Sequence, residues 1–166
     1  METTAQQALI FLVIALPISV WVAWSDMKTM RIPNLAVLAL TAGFLVLGLV
    51  ALPLDAYLWR LAHILIVLLA GFLLSVLGLV GAGDAKFAAA MAPFIALGDL
   101  RGFAFVLAIV MIAAFLTHRL ARATPLVRRV TPDWQSWERK KDFPMGFALG
   151  GALVAYLALA AMQHAG

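Results

Sequence analysis

The chain has 166 residues, of which 65% are apolar and 12% charged, with a formal net charge of +4 and no cysteine. A soluble domain carries about 45–50% apolar and about 25% charged residues, so an aqueous fold is excluded and a lipid bilayer is the indicated solvent. Without cysteine, disulfides, thiolate zinc sites and cysteine nucleophiles are excluded as well.

Apolar stretches of about 20 residues cross the hydrocarbon core of a bilayer, and six candidates follow one another along the chain. They are roughly Ala8–Ser25, Pro33–Leu54, Leu61–Ala82, a short one at Ala85–Gly98, Gly102–Thr117 and Pro144–Met162. Pro17 lies mid-span in the first and is expected to kink it. That first stretch has no basic residue before it and no small-residue cleavage site after it, so it reads as a retained span. Helices satisfy their backbone in lipid internally, and no alternating barrel pattern is present. The expectation is an all-α, polytopic membrane bundle of about six transmembrane helices, forming a single domain over residues 1–166.

The connecting segments give an orientation. Lys28, Arg31 and Lys86, with seven basic residues between 118 and 142, place ten Lys and Arg on one side; Arg60 and Arg101 are the two on the other. Positive charge collects on the cytoplasmic side, which predicts that both termini face out. Asp26 and Asp84 then share the cytoplasmic edge in similar settings, Asp26-Met27-Lys28 and Asp84-Ala85-Lys86, while Asp55 and Asp99 lie on the outer face, where they are expected to pair with Arg60 and Arg101 at the loop edges.

Two carboxylates on one face suit hydrolysis by activated water. One takes a proton from the water while the other, protonated, polarises the carbonyl. Contact between them raises one pKa and makes the pair titrate as a unit. Gly81 and Gly83 leave room beside Asp84 for a close backbone approach. A plain alternative stands beside this reading: Asp26 pairing with Lys28 or Arg31, and Asp84 with Lys86, as headgroup-level charges that end each span. Gly-x-Gly-Asp by itself does not decide between them.

The surrounding residues add a resemblance. Gly81-Ala82-Gly83-Asp84-Ala85-Lys86-Phe87 resembles the GxGD motif of the type IV prepilin peptidases, a family of membrane aspartic proteases. Asp26 followed by Lys28, Arg31 and then Ile32-Pro33-Asn34 is similar to that family's first motif, and Phe143-Pro144-Met145-Gly146 to the segment opening its last helix. The resemblance implies an aspartic endopeptidase of the cell inner membrane that cuts the basic leader from pilin or pseudopilin precursors at the cytoplasmic edge. It implies Asp26 and Asp84 as the catalytic pair, with Gly81, Gly83, Lys86, Lys28, Pro33 and Asn34 as supporting residues, and neither metal nor organic cofactor. Lys86 is expected to tune Asp84 or to contact lipid phosphate.

Larger members carry a cytoplasmic domain between the first two spans, often with zinc-binding cysteine pairs, associated with N-methylation. Here about seven residues separate those spans and cysteine is absent, which argues against a methyltransferase or zinc domain. The short form is similar to the peptidases of tight-adherence (Flp-type) pili, with archaeal preflagellin peptidases as the alternative. A rival of another class is a small proton- or ion-coupled transporter. It calls for acidic residues through the membrane depth, whereas the span interiors contain no Asp, Glu, Lys or Arg.

The segment 118–142, with Trp134 and Trp137, reads as lying on anionic membrane lipid, with nucleic-acid binding disfavoured. Gly146 and Gly150 form a GxxxG pattern that serves packing inside the bundle or a homodimer. His63, His118 and His164 lie too far apart to suggest a metal site.

Overall fold

The structure is a computed structural model describing residues 1–139 and 142–163; Lys140, Lys141 and His164, which entered the sequence reading, lie outside the described residues. The fold is all-helical. α1 (Ala5–Thr29) opens with a capping box, in which the Thr4 hydroxyl accepts from the Gln7 amide and the Gln7 side chain accepts from the Thr4 amide. Pro17 lies inside α1, which runs through it as one helix. α1 ends at Met30, whose φ of 53° is the left-handed conformation that closes a helix, its amide returning to the Asp26 carbonyl at 2.8 Å. Residues 31–33 then reverse the chain, and Pro33 begins α2 (Asn34–Ala51). Pro53 likewise leads into α3 (Leu54–Val76).

Among the described residues five helices are long and apolar enough to cross a membrane, and the fourth expected span is not one of them. In its place stand α4 (Ala82–Met91), only 10 residues long, and two 3-10 turns at Ala92–Phe94 and Leu97–Asp99. Pro93 has no amide to donate and breaks the helix. The segment still joins opposite ends of the bundle: Asp84 lies near the end of α1, whereas Asp99 accepts hydrogen bonds from the Glu2 and Thr3 amides before its start. Six passes are therefore made, five as full helices and one as a broken helix. α5 (Leu100–Ala123) follows, then α6 (Pro125–Val130), a 3-10 turn at Gln135–Trp137 and α7 (Met145–Met162).

Two further boundaries differ from expectation. α3 begins seven residues before Leu61, so Asp55 and Arg60 are helical, and α5 runs past Thr117 to include Arg119 and Arg122. A hydropathy window stops where charge begins, but a helix that already satisfies its backbone has no reason to stop there.

α1 and α7 form the centre. Half of the α7 span (50%) is buried inside the bundle, against 11% for α3 and for the α5 span. The outer helices show Leu65, Leu69, Phe72, Phe105, Ile109 and Ile112 to the surroundings, which costs nothing in lipid, where packing rather than dehydration holds helices together. Small residues set the closest approach. A Cβ on Gly150 would lie 3.1 Å from Ser19 of α1, and one on Gly151 3.2 Å from Val110 of α5. The GxxxG face is thus covered by the chain's own helices and is not free to pair two copies. Phe11, Phe44 and Phe94, all fully buried, meet at ring-centroid distances of 5.2–5.8 Å and fill the middle of the bundle.

The outer aspartate does not pair with arginine. Asp99 accepts from the Glu2 amide at 2.7 Å, the Thr3 amide at 3.0 Å and the Tyr156 hydroxyl at 2.7 Å, while Arg60 reaches the Pro93 and Phe94 carbonyls at 3.4 Å. Arg60 supplies protons to carbonyls that the broken helix leaves without amide partners.

Gly150→Leu should force α1 and α7 apart and lower stability by about 1–3 kcal/mol, the usual range for overpacking, seen as a lower melting temperature in detergent. Gly102→Ala, where an added Cβ meets nothing within 4 Å, should leave the melting temperature unchanged or raise it.

Candidate active site

α1 buries one stripe, Phe11, Ala15, Ile18, Val22 and Asp26, at the three- and four-residue spacing of a helix face. Asp26 therefore turns inward with the core, and it is 5% exposed. A carboxylate placed so must find a donor. It finds the backbone amide of Gly146, which donates to Asp26 Oδ2 at 2.7 Å. Gly146 is the second residue of α7, so this amide has no partner within its own helix, and the positive end of the helix dipole faces the carboxylate. Glycine is needed here for space: a Cβ would stand 3.0 Å from Asp26 Oδ2 and from the Ile32 side chain.

Asp84 arrives from another direction. It is the third residue of α4, half-buried, and sits in the first helical turn. Its carboxylate folds back over the start of the helix, close enough that a Cβ on Gly81 would lie 2.6 Å from Asp84 Oδ2. Gly83 has no such duty. A Cβ there would meet Ile32 at 3.6 Å, an ordinary contact, so of the two glycines only Gly81 leaves room that the Asp84 carboxylate occupies.

Both aspartates line one polar cavity of about 610 Å³ between α1, α2, α4 and the approach to α7. That is many times the roughly 30 Å³ share of one water, enough for water and an extended backbone together. Among the described residues the only ion pair is Arg139–Asp142, at 3.5 Å. The pairing of Asp26 with Lys28 or Arg31, and of Asp84 with Lys86, is thus absent. Asp84 precedes the apolar run of its segment, outside the membrane-crossing stretch. Burial, and then the Asp26 charge beside it, push its carboxyl up to about 6.

Of the supporting residues read from the sequence, Gly81, Gly83, Lys86 and Asn34 line the cavity with the aspartates, whereas Lys28 and Pro33 do not. Lys86 Nζ donates to Asn34 Oδ1 at 3.5 Å, linking α4 to α2 at the rim. Lys28 is exposed on the last turn of α1, and Pro33 acts at one remove by starting α2.

Sequence reasoning missed four contributors. The Gly146 amide was legible only as part of a motif opening a helix. Met30, in its left-handed conformation, carried no glycine to mark the turn. Asp142 and Phe143 line the cavity from the segment before α7; Phe143, like Gly146, was legible only as part of that motif, and distance along the chain hid Asp142. Phe143 is held by His118 of α5 at 5.8 Å, and His118 in turn stacks on Trp137 at 5.3 Å. The aromatic residues of 118–143 thus brace one wall of the cavity.

No curated protein and no solved structure matches the chain. Residues 10–118, about two thirds of it, match the type IV leader peptidase family, and that stretch runs from α1 into α5 and contains both aspartates. The chain belongs to the type IV leader peptidase family.

Proposed function

We propose that this peptidase is an aspartic endopeptidase that removes the N-terminal leader from type IV pilin-like precursors of the Flp type. Asp26 and Asp84 form its catalytic pair. The observation that carries the reading is the meeting of two carboxylates from distant segments in one polar cavity, with no lysine or arginine among the described residues paired to either.

The chemistry follows from their unequal settings. Asp84, with its carboxyl near 6, holds the proton that the pair shares and gives it to the scissile carbonyl oxygen. Asp26, its Oδ2 fixed by the Gly146 amide, takes a proton from the attacking water through its remaining oxygen. The water oxygen bonds to the carbonyl carbon, producing a neutral tetrahedral diol. Collapse breaks the C–N bond, the amine leaves with the proton from Asp26, and Asp84 recovers its own.

Orientation rests on the basic residues. Lys86, Arg31, Arg119, Arg122 and the arginines of α6 lie toward the aspartate end, which we assign to the cytoplasmic side of the inner membrane by the distribution of positive charge. The tight passage from Met30 to Asn34 supports a single peptidase domain without methyl transfer at that position. Proton relay through the membrane is disfavoured, because the Phe11, Phe44 and Phe94 rings occupy the middle of the bundle.

Co-expression with an Flp-type precursor tests the pair. Asp26→Asn and Asp84→Asn should each reduce leader cleavage by at least about a hundredfold, the lower range for general acid–base catalysis, at unchanged membrane levels by blot. Lys28→Ala should cleave as wild type does. Retained cleavage in either asparagine variant would remove that aspartate from the mechanism.

Gly146→Val probes the same site through its support. The added side chain must displace the Asp26 carboxylate or Ile32, so cleavage should fall about tenfold or more while the protein still accumulates. A wild-type rate would show that the Asp26–Gly146 contact does not position the carboxylate.

The pH profile gives an independent reading. A carboxyl raised from 3.8 to about 6 keeps its proton below that value and loses it above. The same shift makes the folded state relatively more stable in acid, with that contribution lost as pH rises from 3.8 through about 6. In kcat/KM, which reports the free enzyme, an alkaline limb should appear near pH 6. A flat profile between about pH 5 and 8 would mean that the proton on Asp84 is not used.

A further inference from the structure

The broken fourth pass leaves one narrow strip uncovered. Between Ala85 and Ala96 every residue is buried except Lys86, which is exposed at the rim, and Ala88 and Ala92, which are partly exposed. With the half-buried Asp84, these two alanines make a row at four-residue spacing, which on a helix is one face. Ala88 and Ala92 line an apolar groove of about 320 Å³, bounded by Trp59 and Ile66 of α3 and by Leu100 and Leu107 of α5. Among the described residues no Asp, Glu, Lys or Arg lines it. Trp59, Ile66 and Leu100 are each more than half exposed on stretches of membrane length, so the groove opens sideways to lipid.

The groove joins the aspartate cavity on two helices. On α4, Asp84 lines the cavity and Ala88, one turn further in, lines the groove; on α7, Met145 lines the cavity and Leu149, one turn further in, lines the groove. A turn advances about 5.4 Å. From there the groove follows the broken pass to Leu97 and Leu100, beside the Asp99 cluster at the far end of the bundle.

These features specify an occupant. A polypeptide held between the two carboxylates has to continue past them, and along this path its surroundings are apolar. Backbone in hydrocarbon must satisfy its own hydrogen bonds, so the continuing segment is a helix, and an apolar one. Alanines at four-residue spacing let a second helix backbone come close, as small residues do where membrane helices pack tightly. A lipid acyl chain needs neither the alanine row nor the join to the cavity.

We infer that the groove between α3 and α5 docks the apolar membrane helix of the precursor, the segment that follows the scissile bond, with Ala88 and Ala92 against its backbone; this assignment rests on the peptidase reading given above.

The chain has no cysteine, so single cysteines report docking without background. An Flp-type precursor carrying one cysteine about two turns past its scissile bond, the helical advance from Asp84 to Ala92, is co-expressed with D84N/A92C or with D84N/A42C, whose cysteine stands on the exposed face of α2. Mild oxidation in membranes should link the precursor to A92C and not to A42C. Filling the groove gives a second readout. In purified protein, A88F and A92F should raise KM for the full precursor about tenfold and leave kcat within about twofold, the mark of lost uniform binding. A42F should match wild type. Toward a peptide that ends just past the scissile bond, all of these variants should behave as wild type does, because that peptide does not reach the groove. Should a phenylalanine variant not purify as a single species, the cysteine chains, altered far less, carry the test. Linking does not require cleavage, so cleavage retained in D84N would take Asp84 out of the mechanism without changing what the crosslink says of the groove. A missing A92C link, or an equal one to A42C, would overturn the docking site. Equal KM for wild type, A88F and A92F would do the same, and is the result expected if lipid alone fills the groove.

Discussion

The contact between the Asp26 carboxylate and the Gly146 amide resolves two deficits at once. α1 carries an acidic residue on the stripe that it must bury, and α7 begins with amides that its own turns cannot satisfy. Either deficit, left inside the bundle, would cost a few kcal/mol. Together they form one short hydrogen bond, and its geometry fixes where α7 starts relative to the end of α1. The close packing of Gly150 on Ser19 follows from that register, because residues 146 and 150 lie on one face and meet α1 in antiparallel order. A larger residue at either glycine would move the helices and the carboxylate together. Packing at the centre of the bundle and geometry at the site are therefore one constraint.

The broken fourth segment is the second constraint, and it follows from what lipid allows. A helix interrupted in a membrane exposes carbonyls that must be met from within the protein. Arg60 of α3 meets those of Pro93 and Phe94, and the Tyr156 hydroxyl accepts from the Ala96 amide while donating to Asp99. The chain start is drawn into the same network, with Glu2 and Thr3 donating to Asp99. Polar groups thus gather at two levels, the Asp26–Asp84 cavity and the Asp99 cluster, with the fully buried Phe11, Phe44 and Phe94 between them.

Much of this was legible because the bilayer restricts the choices. Apolar runs of membrane length announced the long helices, and Pro33 marked where one of them begins. Asp26 and Asp84 stood out because a charge beside such runs needs a reason. The helical extents of α3 and α5 were not legible, since charge ends a hydropathy window without ending a helix. The fourth pass was read from its apolar run as a short span at Ala85–Gly98, and the break at Pro93 succeeds only because Arg60, some 30 residues earlier, lies within reach of the freed carbonyls. The ion pairs expected from neighbours in sequence, Asp84 with Lys86 and Asp99 with Arg101, gave way to partners from distant segments: Lys86 turns to Asn34, and Asp99 to Thr3 and Tyr156. Local spacing indicates which charges are near one another along the chain, but tertiary packing decides which donors reach them.

The short α4 also explains why the two carboxylates are unlike. Asp26 ends a 25-residue helix at the centre of the bundle and is tied by a backbone donor, so its position is set by the packing of α1 on α7. Asp84 begins a 10-residue helix that leans on α3, where a Cβ on Gly71 would come within 2.9 Å of Ala85. The carboxylate itself, half-buried and without an ion-pair partner among the described residues, faces the cavity. A fixed group and a more accessible one divide acid–base work naturally. The Gly146 amide favours charge on Asp26, whereas Asp84 is partly buried and feels that charge, so the shared proton lodges on Asp84. With Asp84 on a long, fully packed helix, both carboxylates would be buried alike and nothing in the fold would distinguish them. By breaking that pass, the chain holds the second carboxylate beside the first without giving it the same environment.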